Sequence, residues 1–195
     1  MGSTGFNLVE HADLAHGGCI LEIGSDRGEG STLVLLAAAR RHGVPFFSID
    51  VKPDVSEKAA VIPGVAAVCG RGEDVLADWG DRPEPRFCWM DGYDWPYSFG
   101  DWAWQVAEYA QRGDPLTCEA SQESHLAQAV LVHRLTSPGA IAVFDDTWAT
   151  PSGWSGKGGT AVPWLTGAGW AAEASGPPIL EPPGGDYYVQ LRKAG

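Results

Sequence analysis

The chain has 195 residues, 44% of them hydrophobic and 10% aromatic, enough to bury one sizeable core and too few for two full domains. Its 25 acidic and 13 basic residues leave a formal net charge of −12, which repels a phosphate backbone and argues against a nucleic-acid substrate. The surplus of carboxylates also serves plain solubility, and it favours a neutral or cationic ligand. Four widely spaced cysteines (Cys19, Cys69, Cys88, Cys118) form no C-x-x-C pair and read as buried thiols in a reducing compartment. No charged N-terminal segment leads into an apolar stretch, and no run approaches the roughly 18 apolar residues of a membrane span, so a cytoplasmic protein without membrane contact is expected.

Short apolar runs alternate with helix-like stretches. Strands are predicted at Cys19 to Ile23, Pro45 to Ile49, Val65 to Cys69, Arg86 to Met90 and Ala140 to Phe144. Helices are predicted at Ser31 to His42, Val55 to Ala60, Glu73 to Trp79 and Gln122 to Leu135, the last stopped by Pro138-Gly139. This β-α-β-α order demands a mainly parallel sheet with right-handed crossovers. Two further strands are expected at Trp170 to Ala174 and Tyr187 to Arg192. The irregular stretch from Gly92 to Ala120 is too aromatic for a solvated linker. Its middle, Asp101 to Arg112, fits an amphipathic helix with Trp102, Val106 and Tyr109 or Ala110 inward, an insert or lid over the carboxyl ends of the strands, where open α/β sheets bind ligands.

The strongest local signal is Ile20-Leu21-Glu22-Ile23-Gly24-Ser25-Asp26-Arg27-Gly28-Glu29-Gly30-Ser31-Thr32, a strand that breaks into glycines and opens a helix. Gly24 permits a sharp turn, and Gly28 and Gly30 leave room for a ligand beside backbone amides at a helix start. An ordinary tight β-α connection has the same look. The spacing G-x-x-x-G-x-[ST] is neither G-x-G-x-x-G nor a P-loop. The second strand runs into Asp50, a carboxylate able to accept both hydroxyls of a ribose, or a simple turn residue before Lys52-Pro53. After the third strand, Gly70-Arg71-Gly72-Glu73 can frame an adenine edge, with Glu73 alternatively a helix N-terminal acid.

These residues resemble the class I S-adenosylmethionine-dependent methyltransferases, whose first motif is E-x-G-x-x-x-G and whose second strand ends in an acid. The resemblance spans roughly Leu14 to Lys193. It implies a single Rossmann-like, doubly wound domain over 1–195, with a mainly parallel seven-stranded sheet and a C-terminal antiparallel hairpin strand. It also implies that Gly24 and Gly28 hold the methionine part of the cofactor, that Asp50 holds its ribose, and that Glu22 lies near its amino group. Ser25, Ser31, Glu73 and Asp91 complete the expected cofactor contacts.

A second likeness lies in Met90-Asp91-Gly92 and Phe144-Asp145-Asp146-Thr147-Trp148, similar to metal-dependent O-methyltransferases of natural-product biosynthesis. Asp91, Asp145 and Asp146 are then expected to bind Mg²⁺, which would activate an acceptor hydroxyl. Alternatively, Asp145 and Asp146 cap a strand end while Asp91 bonds backbone. His125, with Asp145, is the candidate catalytic base, or else a helix-start histidine bonded to a carboxylate. The Gly156-Lys157-Gly158-Gly159 segment lacks Walker spacing and reads as a mobile rim loop, with Lys157 solvated or facing an anionic group. Trp95, Trp102, Trp104 and Trp148 suggest an apolar or planar acceptor. The expected activity is O-methylation of a small molecule. The alternatives are S-adenosylmethionine chemistry without methyl transfer and a non-catalytic partner subunit, and association into a homo-oligomer is left open.

Overall fold

Apolar runs of five or six residues, each closing on a glycine or an aspartate, are too short to bury a helix face and pair instead as strands. The computed structural model of the protein describes residues 9, 12–15, 17–25, 30–98, 100–175 and 187–195. In chain order these form β1 (Cys19–Ile23), α1 (Ser31–His42), β2 (Phe46–Asp50), α2 (Pro53–Ala60), β3 (Val65–Cys69), α3 (Gly72–Ala77) and β4 (Pro85–Met90). The insert carries α4 (Ala103–Gln111) and leads to α5 (Cys118–Leu135) and β5 (Ile141–Asp145). A small hairpin, β6 (Thr147–Thr150) and β7 (Gly153–Gly156), precedes α6 (Ala161–Gly167), β8 (Trp170–Ser175) and β9 (Tyr188–Lys193).

The seven-stranded sheet has the order β3-β2-β1-β4-β5-β9-β8. Strands β1 to β5 pair in parallel, whereas β9 is antiparallel to both neighbours. Alternation along the strands divides the core between the two faces. Leu21, Ile23, Cys88, Met90, Ala142 and Phe144 point to one cluster, shared with Leu76 of α3, Val132 of α5 and Leu165 of α6. Ile20, Phe87, Trp89, Ile141 and Val143 point to the other, shared with Leu35, Leu36 and Ala39 of α1. The expected doubly wound sheet is therefore present, including the antiparallel strand near its C-terminal edge. No helix among the described residues is long and apolar enough to cross a membrane.

Several local expectations are corrected. Helix α5 starts four residues earlier than predicted, because the Thr117 hydroxyl accepts the Ala120 N–H at 3.1 Å and caps it. In α4, Val106 is exposed, and the inward face is Trp102, Gln105, Glu108 and Tyr109. The stripe follows the polar contacts of Glu108 as well as apolar periodicity. Cys69 is exposed at the end of an edge strand, while Cys19 and Cys88 are buried as expected.

The Gly156-Lys157-Gly158-Gly159 segment follows an unexpected hairpin and is a turn tied to it by hydrogen bonds. Asp146 takes φ +45°, unusual for a residue with a side chain, and reverses the chain into β6. Gly156, at φ +82°, closes β7 where any Cβ would overlap the Asp146 carbonyl. The Lys157 N–H then donates to that carbonyl at 3.0 Å, and the Gly158 N–H to Thr147 Oγ1 at 2.8 Å. Gly156→Ala is expected to cost about 2–5 kcal/mol, the sum of a left-handed side-chain penalty and overpacking. Urea denaturation measures it, and a loss near that of an ordinary exposed Gly→Ala change would contradict the close approach.

Candidate functional site

The carboxyl ends of β1, β2, β4 and β5 open into one cleft with two lobes. The first, open to solvent, spans about 420 Å³ and is walled by Ile49, Gly70, Gly72, Glu73 and Gln128 among others. The second, about 960 Å³, is walled by Asp91, Asp94, Trp104, Asp145, Asp146 and Lys157. Gly24, Asp50, Val51, Gly92, Tyr109 and Arg112 line both, so the lobes adjoin.

Gly24 sits at the junction. Its φ of +88° and its contact with the Asp91 carbonyl, which a Cβ would overlap, explain why the first strand must break at glycine. Its N–H donates to Ile49 O at 2.8 Å, and the Asp91 N–H to Ile23 O at 2.8 Å, so β1, β2 and β4 end level. Asp50 closes the turn: its Oδ2 accepts the Ser25 N–H at 3.1 Å and its Oδ1 the Lys52 N–H at 2.9 Å. The turn role expected of Asp50 is present, and the residue also lines both lobes. Gly28 lies outside the described residues. Ser31 opens α1, whose N-cap, Gly30, supplies no side-chain cap.

Glu73 walls the first lobe from the first turn of α3 and accepts from Gln128 Nε2 at 3.2 Å, tying α3 to α5. Glu22, in contrast, is fully buried and lines neither lobe. Its Oε2 accepts the hydroxyls of Thr32 and Ser48, each at 2.8 Å, linking β1 to α1 and β2. Burial outweighs the hydroxyl donors and raises its pKa to about 7.

In the second lobe the three expected carboxylates surround a lysine. The Lys157 ammonium, 2% exposed, pairs with Asp91 and lies 3.0 Å from Asp146 Oδ2. Against the desolvation of burial, Asp91, Asp146 and Asp145 hold Lys157 protonated, above its usual range. Asp146 also accepts the Tyr97 hydroxyl at 2.7 Å. Although burial opposes it, Lys157 and Tyr97 keep Asp146 below the usual carboxylate range. Burial, then the negative neighbours Asp91 and Asp146, push Asp145 well up. Mg²⁺ is not supported by this geometry: the Lys157 ammonium lies between Asp91 and Asp146, two of the three expected ligands.

His125 is close to this cluster but walled off from the cleft. It is fully buried on α5, with Nδ1 2.8 Å from Ser121 O, which assigns the ring proton to Nδ1. Burial, then the Lys157 charge, lower its pKa to about 3, so the ring stays neutral. It lines neither lobe.

The insert roofs the cleft. Tyr109 is buried against Tyr93, and its hydroxyl accepts the Asp94 N–H at 2.8 Å. Lys52 pairs with Glu108 at 2.7 Å, and Arg71 grips Asp114 with two bonds of 2.7 and 2.9 Å. Arg112 stacks 4.3 Å over Tyr109 and faces both lobes. Trp104, 65% exposed, forms the rim of the second lobe. The sequence reading did not single out Arg112 or Tyr97 as site residues; only three-dimensional neighbours distinguish them from packing.

No family model and no curated protein matches the chain. Solved structures do. An rRNA methylase from Streptococcus thermophilus is similar at 11% identity and TM-score 0.59, over 98% of this chain and 95% of that one. The fold is a methyltransferase fold. A TehB-like S-adenosylmethionine-dependent methyltransferase from Corynebacterium glutamicum is similar at 14% identity and TM-score 0.54, over 98% and 87% of the two chains. The N-methyltransferase NodS from Bradyrhizobium japonicum is similar at 14% identity and TM-score 0.53, over 99% and 96%. At such identities the likeness establishes architecture, and the acceptor must be argued from the cleft.

Glu22 yields a pH signature. Its carboxyl titrates at about 7 in the folded chain against 4.5 ordinarily, so the folded state binds the extra proton. Its contribution is fully present below pH 4.5 and is lost as pH rises to about 7, a fall of about 3 kcal/mol at 1.36 kcal/mol per pH unit. Glu22→Gln should flatten that slope in urea denaturation at a series of pH values. An unchanged slope would assign the titration to another group.

Proposed function

We propose that the protein is an S-adenosylmethionine-dependent methyltransferase acting on a hydroxyl of a small molecule. The observation that supports this is that the two lobes adjoin, sharing Gly24 and Gly92 in their walls. A cofactor in one lobe and an acceptor in the other would meet at that junction.

The residues of the first lobe fit the cofactor. Gly24 lacks the Cβ that would obstruct the junction, and the Asp50 carboxylate faces both lobes as a ribose acceptor would. Gly70, Gly72 and Glu73 offer a flat wall for a base. When bound, S-adenosylmethionine supplies an electrophilic methyl group on a sulfonium. The protein's task is then to align, to exclude water and to manage one proton. Tyr109 and Arg112 roof the junction, and Asp145, a carboxyl in the wall of the second lobe, would take the hydroxyl proton in its ionised form.

Charge and shape favour a small acceptor. A net charge of −12 and a lobe walled by Asp91, Asp94, Asp145 and Asp146 oppose a polyanion such as RNA, and the Trp104 ring at the rim suits a planar or apolar body. Calorimetry should show S-adenosylhomocysteine binding. Asp50→Ala should weaken it about 10–100-fold, because hydrogen bonds to a charged group contribute about 1.5–3 kcal/mol. Mass analysis of an accepted substrate should show one added CH₂ unit. Cofactor turnover without that gain would favour non-methylating chemistry, and no cofactor binding at all would favour a non-catalytic subunit.

A further inference from the structure

Where three carboxylates converge at the ends of adjacent strands, charge balance demands a cation, and here the chain supplies its own. Lys157 arrives on the far end of the β6–β7 hairpin, held by its backbone bond to the Asp146 carbonyl and by Gly158 on Thr147. Its ammonium has three N–H groups. Two are engaged by Asp91 and Asp146. The third has no protein acceptor among the described residues, and Lys157 itself forms part of the wall of the second lobe. Asp145, in the same wall, carries no ion pair to Lys157.

We propose that Lys157 is the resident cation of this site, seated between Asp91 and Asp146, and that its remaining N–H anchors a single oxygen of the acceptor, so that the site takes isolated hydroxyl or phenol groups without a divalent metal. The physical distinction is coordination number. A divalent ion with open positions binds two adjacent oxygens and rewards a catechol or vicinal diol. An ammonium with one free donor rewards one oxygen only, and a second neighbouring hydroxyl adds nothing. The substrate class is therefore set by what fills the space between the aspartates. This inference rests on the methyltransferase reading for the meaning of "acceptor", but the identity of the cation does not.

The test begins with the unaltered protein and Mn²⁺, followed by electron paramagnetic resonance and calorimetry. No stoichiometric binding is expected up to millimolar ion. One Mn²⁺ per chain bound at micromolar concentration overturns the proposal. Lys157→Ala should open the seat and bind one Mn²⁺ at least about tenfold more tightly than the unaltered chain, with Asp91, Asp145 and Asp146 as oxygen ligands. Lys157→Arg, which keeps a cation in place, should not. A folded Lys157→Ala protein that gains no Mn²⁺ site counts against the proposal. If that variant does not fold without metal, its refolding is followed by circular dichroism with and without Mn²⁺; rescue by the ion supports the proposal, and failure of rescue overturns it. For the anchor, para-nitrophenol and nitrocatechol are titrated in the presence of S-adenosylhomocysteine and EDTA. The two should bind within about threefold of each other, since the second hydroxyl finds no partner. A tenfold or greater advantage for the catechol, or no binding of either at millimolar concentration, overturns the single-oxygen anchor. Absence of S-adenosylhomocysteine binding together with the expected Mn²⁺ results would instead sink the methyltransferase reading and leave the resident cation standing.

Discussion

An ammonium removed from water is costly, by several kcal/mol even after relaxation, unless carboxylates replace its hydration at close range. Much of the local structure around β5 follows from meeting that demand for Lys157. Asp91 must follow β4, and Asp145 and Asp146 must close β5, at neighbouring heights, which the pairing of Met90 with Phe144 provides. The chain must then return through the β6–β7 hairpin to deliver the lysine, which requires the left-handed turn at Asp146 and a residue without Cβ at Gly156. Tyr97, reaching from the insert, gives Asp146 a further donor and stacks at 6.0 Å on Trp148 of the hairpin. Removing one partner of so enclosed a group leaves the others as unpaired buried charges, so hairpin, insert and strand ends form one electrostatic unit.

The two lobes of the cleft differ in what they ask of a ligand. In the first, Gly24, Gly70 and Gly72 bring main chain to the surface among side chains that include Ile49, Glu73 and Gln128. Such a wall recognises shape and hydrogen-bonding edges. The second is crowded with charge and roofed by aromatic side chains. Asp50 belongs to both, and its carboxylate also fixes the turn after β1 through Ser25. Turn geometry and ligand recognition are thus carried by the same side chain, so a change there alters both.

The sheet was largely legible in the sequence, because burial on both faces writes each parallel strand as a short apolar run and each crossover as a helical pattern. The bounds of β1, β3 and α1 follow from Gly24, Gly70 and Gly43 directly. The positions of Asp50, Asp91, Asp145 and Asp146 at the cleft were legible for the same reason: they sit where strands stop. Lys157 was not. Its environment depends on a contact with Asp91, 66 positions away, and the run Gly156-Lys157-Gly158-Gly159 has the composition of a solvated loop. The two short strands before it, Thr147 to Thr150 and Gly153 to Gly156, turn at Pro151-Ser152, a signal present but outweighed by the surrounding glycines. Val106 was misplaced on α4 because the helix turns Glu108 inward to meet Lys52, an ion pair that apolar periodicity cannot register. Nothing in the local sequence around His125 reveals that the wall of α5 closes it off from the cleft.

The roof of the cleft is fastened differently from the floor. Floor strands are joined by backbone ladders and by a dry apolar core, whereas α4 buries one side chain deeply, Tyr109, and otherwise holds on through Lys52 with Glu108 and Arg71 with Asp114. Partly exposed ion pairs weaken as counterions accumulate, while apolar burial does not. Raising ionic strength therefore loosens the cover while sparing the sheet, and the lifetime of anything enclosed beneath it becomes a quantity that salt can shorten without unfolding the protein.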